Sequence, residues 1–355
     1  VSLGDFLAAR ATSRAPYEGV EVAQSYGDPE LEWASLDARV GLVDARYRRT
    51  IIASGEERRQ FLHGQLSQSL VTLKTGDGAP ALLLNAQGRV MAILAVYDEG
   101  ETFEMAVEAS HLDLTLERLQ QFLVADDVEF QNEEPRDRFS VVGPDACHML
   151  EGLGIPIPSR AHASMSGAWF MRSGRLGGVD VLAYGRADLR VPTVDIVATD
   201  GAPAWRALET AGAKPVGTDA YEMLRIESGT PRYGVDVDQS RVALEARLEW
   251  AIHFRKGCYV GQEIVERAVS RGRVNRVLVL LSADVPLRRG ERVGHAGEKD
   301  TVTSCTISPR LGPICLAYVP RENAEPGNKL VIERRDRDVT VRVLPWPRVE
   351  VYPGR

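Results

Sequence analysis

Apolar residues recur along this chain with two periods, and the change between them marks its elements. Thr50-Ile51-Ile52-Ala53 reads as a strand, and Ser54-Gly55-Glu56-Glu57 caps a helix running through Phe61 and Leu62. After the polar break Thr75-Gly76-Asp77-Gly78, Ala79 to Leu84 and Val90 to Tyr97 predict a hairpin turning at Asn85-Ala86-Gln87-Gly88. Phe103 to Val107 alternates as another strand, and Leu112, Leu116, Leu119 and Leu123 recur at helical spacing. Residues 1–30 are mixed and polar, and predict a helix followed by a loop.

A second run of elements begins near Pro135. Phe139 to Pro144 is a strand and turn, and Ala146 to Leu153 a helix. Strands follow at 168–172, 179–182 and 194–197, then a helix over 205–211. Strands then helix, twice over, is an α+β pattern. After Val274 the chain changes to short strands broken by Gly and Pro, which predicts a small all-β domain.

Composition narrows the class. The 355 residues are enough for two or three domains, and 44% hydrophobic with 26% charged residues is ordinary for a soluble globular protein. A net charge of −7 argues against nucleic-acid binding by the chain as a whole. No stretch approaches the ~18 apolar residues of a membrane span, and the first thirty residues hold no apolar signal core. Four cysteines, at 147, 258, 305 and 315, make no C-x-x-C pair, and their spacing fits neither zinc nor a disulfide framework. A reducing cytoplasm is the expected setting, with no metal site and no membrane partner.

Lys256-Gly257-Cys258-Tyr259-Val260-Gly261-Gln262-Glu263 concentrates the chemistry: a cation, a thiol, two glycines and a carboxylate in eight positions. Lys256 and a helix starting past Gly261 both favour a thiolate at Cys258. A structural cysteine in a loop-to-helix corner is the alternative reading. Cys147-His148 is adjacent, but neighbours on a helix point about 100° apart and do not share a metal. His253 lies near enough in sequence to suggest a Cys–His couple, or simply a satisfied local hydrogen bond. Asp126-Asp127 reads as a solvated turn, and no phosphate-binding glycine motif is present.

The Lys-Gly-Cys-Tyr-x-Gly-Gln-Glu segment resembles the signature of the YgfZ-type folate-binding proteins, relatives of the glycine-cleavage T protein that support iron–sulfur cluster assembly or repair. Arg225-Ile226-Glu227-Ser228-Gly229 is similar to the Arg-x-Glu-x-Gly segment that this family shares with the T protein. Arg271-Gly272-Arg273-Val274-Asn275-Arg276, then Ser308-Pro309-Arg310-Leu311-Gly312 and Leu316-Ala317-Tyr318-Val319, extend the likeness toward the C-terminus. Val40 to Asp44 and Phe61 to Leu66 match the N-terminal region more loosely.

The resemblance implies a three-lobed ring with folate in its central opening. Its lobes would be 1–50 with 135–220, 51–134 with 221–273, and a C-terminal all-β barrel-like lobe over 274–355. It implies tetrahydrofolate or a derivative as cofactor. Glu227 would take the pterin ring, by two parallel N–H bonds to its carboxylate. Arg273 and Arg276 would take the acidic tail, and Cys258 with Lys256 would form a functional thiol site. A solvated helix face for Glu227, and an exposed basic turn for the arginines, are the alternatives.

One departure separates the two branches. Where the aminomethyltransferases follow the hairpin turn with Asp-Asp, one of them central to catalysis, this chain has Ala92 and Ile93. The expected function is therefore a folate-binding accessory protein of iron–sulfur proteins or their assembly factors. A folate-dependent aminomethyl or methyl transferase using Glu108 or Asp98 is the alternative. A scaffold that has lost folate is a third reading, which retention of Glu227 opposes.

Overall fold

A computed structural model describes residues 2–163, 166–270, 274–294, 300–334 and 337–347. The chain divides into two compact units, Val1–Ala81 with Leu94–Tyr221, and Leu82–Ile93 with Glu222–Arg355.

In the first unit a six-stranded sheet runs in the order Phe170–Leu176, Val179–Arg186, Thr193–Ala198, Asp137–Val142, Gly41–Asp44, Lys214–Val216. Its pairs are antiparallel except the last, between Lys214–Val216 and Gly41–Asp44. Helices Leu3–Ala8, Ala146–Gly152 and Ala202–Thr210 cover it, burying Leu7, Leu150, Trp205 and Leu208 against Leu42, Phe139 and Ile196. Phe139 and Trp205 meet edge to face with ring centroids 5.2 Å apart, the geometry aromatic quadrupoles favour. Cys147 faces this core while His148 is exposed, as their helical angle requires.

The N-terminal reading needs correction. A helix does start the chain, with Ser2 capping it through a 3.1 Å bond from the Asp5 N–H, but no loop follows. Ser13–Tyr17 and Val20–Ser25 pair as a hairpin closed by Glu18 and Gly19, with φ of 49° and 79°. Two consecutive left-handed residues make the turn whose twist matches paired strands. Gly19 takes that conformation freely, whereas Glu18 gave no sequence signal for it.

Another sheet, of five strands ordered Gly78–Leu84, Val90–Asp98, Phe103–Glu108, Arg48–Ser54, Glu129–Asn132, contains the expected hairpin. The tip of that hairpin, 82–93, belongs to the second unit.

The rest of the second unit is dominated by an antiparallel sheet ordered Val302–Ser308, Gly312–Pro320, Arg276–Ala283, Val339–Val343, Lys329–Ile332. Its central strand is buried on both faces, which explains the unbroken apolar run Val277 to Leu281. Val277, Val279 and Leu281 join Val302, Ala317 and Val341 on one side. Leu278 and Leu280 join Ile226, Leu316 and Tyr318 on the other. Ile226, at the end of the Thr218–Glu227 helix, thus anchors that helix to the sheet and fixes where Glu227 points.

Candidate functional site

The site assembles around the hairpin tip. Asn85 closes the turn: its side-chain oxygen accepts from the N–H groups of Gln87 and Arg89, both at 3.0 Å, and its carbonyl accepts from Gly88 at 2.9 Å. The returning strand is held by Val90 N–H donating to the Arg241 carbonyl at 3.1 Å and by Tyr233 Oη donating to the Val90 carbonyl at 3.3 Å. Leu84 and Val90 pack with Val237, Leu248, Tyr259 and Val265 in one core, with Ile93 at its margin. Ala92 is 1% exposed. This strand offers no carboxylate where the resemblance placed a catalytic pair in the transferases.

The Lys-Gly-Cys segment packs directly on this turn. Gly261, with φ +84°, stands so close that a Cβ there would lie 2.6 Å from the Asn85 carbonyl oxygen and 3.2 Å from Gly88 Cα. Gly88 in turn has φ +66°, and a Cβ on it would meet Ile264 at 2.8 Å. The two glycines bring loop and turn into backbone contact, a close approach that a side chain would block. Just past Gly261 the helix Gln262–Ser270 begins, as expected, burying Val265.

Cys258 is exposed, which sets aside a buried structural role. Lys256 is not a solvated neighbour of the thiol: it is 9% exposed, and its ammonium lies 4.8 Å from the centroid of the Tyr259 ring. Burial pushes the Lys256 pKa down to about 8, because a low-dielectric surround disfavours the ammonium. Near that pH it is only partly charged. Nδ1 of His253 accepts the Arg255 N–H at 3.3 Å, a local hydrogen bond.

Glu227 is not on a solvated helix face. It is 1% exposed, and both carboxylate oxygens are engaged. The Ser308 hydroxyl donates to Oε1, and the Arg310 guanidinium reaches Oε2 at 3.3 Å. The Ser308 hydroxyl also accepts the N–H groups of Arg310 and Leu311 at 3.1 and 2.9 Å, so one serine organises both the loop and the carboxylate. Next to it, Arg225 is buried and donates to Glu222, the Thr230 carbonyl, Asp236 and Ser304. Asp236 also accepts from Ser304 at 2.7 Å. Sequence reasoning singled out Arg225 only as part of a motif. Its role as the hub between helix and sheet depends on contacts to Asp236 and Ser304, 11 and 79 positions away.

The two tail-binding candidates separate. Arg276 is paired through Nε with the fully buried Asp300, 2.6 Å away. Arg273, with its neighbours Arg271 and Gly272, lies outside the described residues. Arg267 is engaged with Glu263 on its own helix.

Two features of the first unit bear on the carboxylates named as alternatives. Asp98 is fully buried and paired with Arg59, and it accepts the Gly100 N–H at 2.8 Å. Glu108 converges with Glu18 and His111, their ligand-type atoms within 4.8 Å of one another. This grouping was invisible in sequence because it depends on the N-terminal hairpin. No helix among the described residues is long and apolar enough to cross a membrane.

The glycine cleavage T-protein C-terminal barrel domain family matches residues 275–349, the region of the antiparallel sheet. An aminomethyltransferase of Rubrobacter xylanophilus is 30% identical over 338 residues, covering 93% of this chain and 89% of that protein. One from Nostoc sp. is 28% identical over 366 residues, covering 97% and 93%. The crystal structure of glycine cleavage system aminomethyltransferase T from Bartonella henselae matches with a TM-score of 0.84 at 20% identity, covering 98% of this chain and 96% of that one, so the fold is shared. Fold, C-terminal sheet and full-length similarity agree, and the chain belongs to the glycine-cleavage T-protein (aminomethyltransferase) family.

Proposed function

We propose that this chain is a tetrahydrofolate-binding member of that family that does not transfer aminomethyl groups, and that it serves iron–sulfur proteins through Cys258. One observation carries the reading. The hairpin strand is apolar at Ala92 and Ile93, while the segment packed on the same turn displays an exposed thiol. Without a carboxylate at those two positions, neither proton transfer nor stabilisation of a developing cation is available from them.

The fit to folate centres on Glu227. A buried carboxylate that accepts two donors is the kind of group a pterin edge meets with its amino and ring N–H. Arg310 makes the longer contact and its side chain is 45% exposed, so it is the donor a pterin would replace while Ser308 holds the other oxygen. Arg276 serves Asp300, which leaves Arg273 as the tail-binding arginine of this proposal. When bound, folate supplies a one-carbon carrier. Glu227 orients its ring, and Ser308 keeps Glu227 in place.

The relatives' name favours a second reading, an aminomethyltransferase. It would need another carboxylate. Asp98 is locked to Arg59, which leaves Glu108. The deciding experiment incubates the protein with tetrahydrofolate and an aminomethylated lipoyl carrier. The accessory reading expects no protein-dependent ammonia release, together with rescue of iron–sulfur enzyme activity in cells lacking their own YgfZ-type protein. Ammonia release that depends on both protein and folate, and disappears in Glu108→Gln, would establish the transferase instead.

A further inference from the structure

Two cysteines of the second unit face each other across a strand pair. Val302–Ser308 and Gly312–Pro320 run antiparallel, and their register sets Cys305 directly opposite Cys315. Opposed residues of such a pair point to the same face. Pro313 reveals which kind of pair this is. It stands opposite Ile307, and lacking an N–H it cannot exchange two backbone bonds, so that pair is of the non-hydrogen-bonded kind. The kinds alternate along a ladder, which makes Thr306 with Ile314 a bonded pair and Cys305 with Cys315 a non-bonded one. The hairpin loop is the three residues 309–311, and Gly312, opposite Ser308, has φ +69°.

Non-bonded pairs bring Cα atoms to about 4.5 Å, inside the ~4.4–6.8 Å window that a disulfide spans. The register irregularity of this strand pair lies between Val302 and Ser304, beyond the cysteines. Cys315 is fully buried in the sheet core, and Cys305 packs against that core while keeping partial exposure. An Arg289 backbone N–H donates toward the Cys305 sulfur.

We propose that Cys305 and Cys315 form a dithiol modification site, closed to an intramolecular disulfide by hydrogen peroxide. The Cys305 thiolate attacks the peroxide O–O bond, giving a sulfenic acid and releasing hydroxide, which takes up the Cys305 proton to become water. The Cys315 sulfur then attacks the sulfenic sulfur. Its proton leaves with the displaced hydroxyl as a second water. One peroxide is reduced by two electrons, and two thiols become one disulfide. Cys315 is reached only from Cys305, since it has no exposure of its own. The link would fix the strand that supplies Ser304 to Arg225 and Ser308 to Glu227. Neither step involves Cys258 or folate.

The test treats the full-length protein with hydrogen peroxide at a dose that fully oxidises the exposed Cys258, which serves as internal control. The protein is then unfolded, alkylated and digested without reductant. Trypsin cleaves after Arg310, between the two cysteines, so a disulfide appears as two joined peptides lacking two hydrogens relative to their sum. The expected result is that joined peptide from monomeric protein, at several times the yield of any other linkage, and its absence in Cys315→Ala. Alkylation of both Cys305 and Cys315 at that dose would overturn the proposal, as would sulfinic acid at Cys305 without the joined peptide.

Discussion

Gly261 and Asn85 are in backbone contact: a Cβ on the glycine would sit 2.6 Å from the asparagine carbonyl. That contact seats the thiol-bearing loop on the hairpin. Gly261→Ala meets two obstacles, the clash and a left-handed φ of +84°, and the latter alone costs on the order of 1–3 kcal/mol. Because the obstacle is backbone rather than a flexible side chain, it will not relax locally. The expected outcome is a lower unfolding midpoint in denaturant. Unchanged stability would mean that loop and hairpin are not seated on each other.

Glu227 serves two partners at once, and variants separate them. Glu227→Gln weakens the Ser308 and Arg310 contacts, a loss of about 1–3 kcal/mol for a charge-assisted bond. It should also weaken tetrahydrofolate binding at least about tenfold, since ~1.4 kcal/mol is a factor of ten. Arg310→Ala keeps the Ser308 bond and removes the Arg310 contact to Oε2, so folate affinity should hold or rise. Calorimetry on both variants, beside thermal melts, decides. Arg310→Ala losing as much affinity as Glu227→Gln would show that the pterin does not replace Arg310.

Much of this arrangement was legible in sequence because its signals are local. The hairpin showed itself through strands flanking Asn85 to Gly88, and the barrel through short Gly- and Pro-punctuated strands. The helix after Gly261 appeared where its pattern put it. What escaped was long-range. One partner of Glu227 is Ser308, 81 positions away, so burial of that carboxylate follows only from how the sheet meets the end of its helix. Arg276 looked like a free basic residue because Asp300, which neutralises it, lies beyond a whole strand and turn. The N-terminal hairpin was missed because its turn rests on a glutamate in a conformation that glutamate rarely adopts.

Cys258 should be the fastest thiol to alkylate. It is exposed, whereas Cys147 and Cys315 are buried and Cys305 only partly reached. Burial also pushes Cys147 up to about 11 and raises Cys305 and Cys315, which thins their thiolate at neutral pH. Iodoacetamide labelling at pH 7 with peptide mapping should modify Cys258 faster than each of the other three. Equal rates would remove the thiol's claim to a function.

Lys256 makes a pH-dependent prediction whose sign follows from its lowered pKa. Below about 8 the ammonium is protonated in folded and unfolded chains alike, and its burial cost is fully present. Between about 8 and the ordinary value of 10.5 the folded chain has released the proton while the unfolded chain still holds it. The unfolded state then binds more protons, so this residue's contribution to stability rises with pH through that window. Lys256→Met keeps the bulk and removes the charge. At pH 7 it should be more stable than the parent by on the order of 1–3 kcal/mol, at about 1.4 kcal/mol per pKa unit less a cation–π loss of ~0.5–2 kcal/mol over Tyr259. As the parent sheds its proton, that advantage should shrink toward zero near pH 10.5. Chemical denaturation of both proteins across pH 7–10.5 measures it. A difference that stays constant with pH would show that Lys256 titrates as a solvated lysine, and its burial against Tyr259 would have to be abandoned.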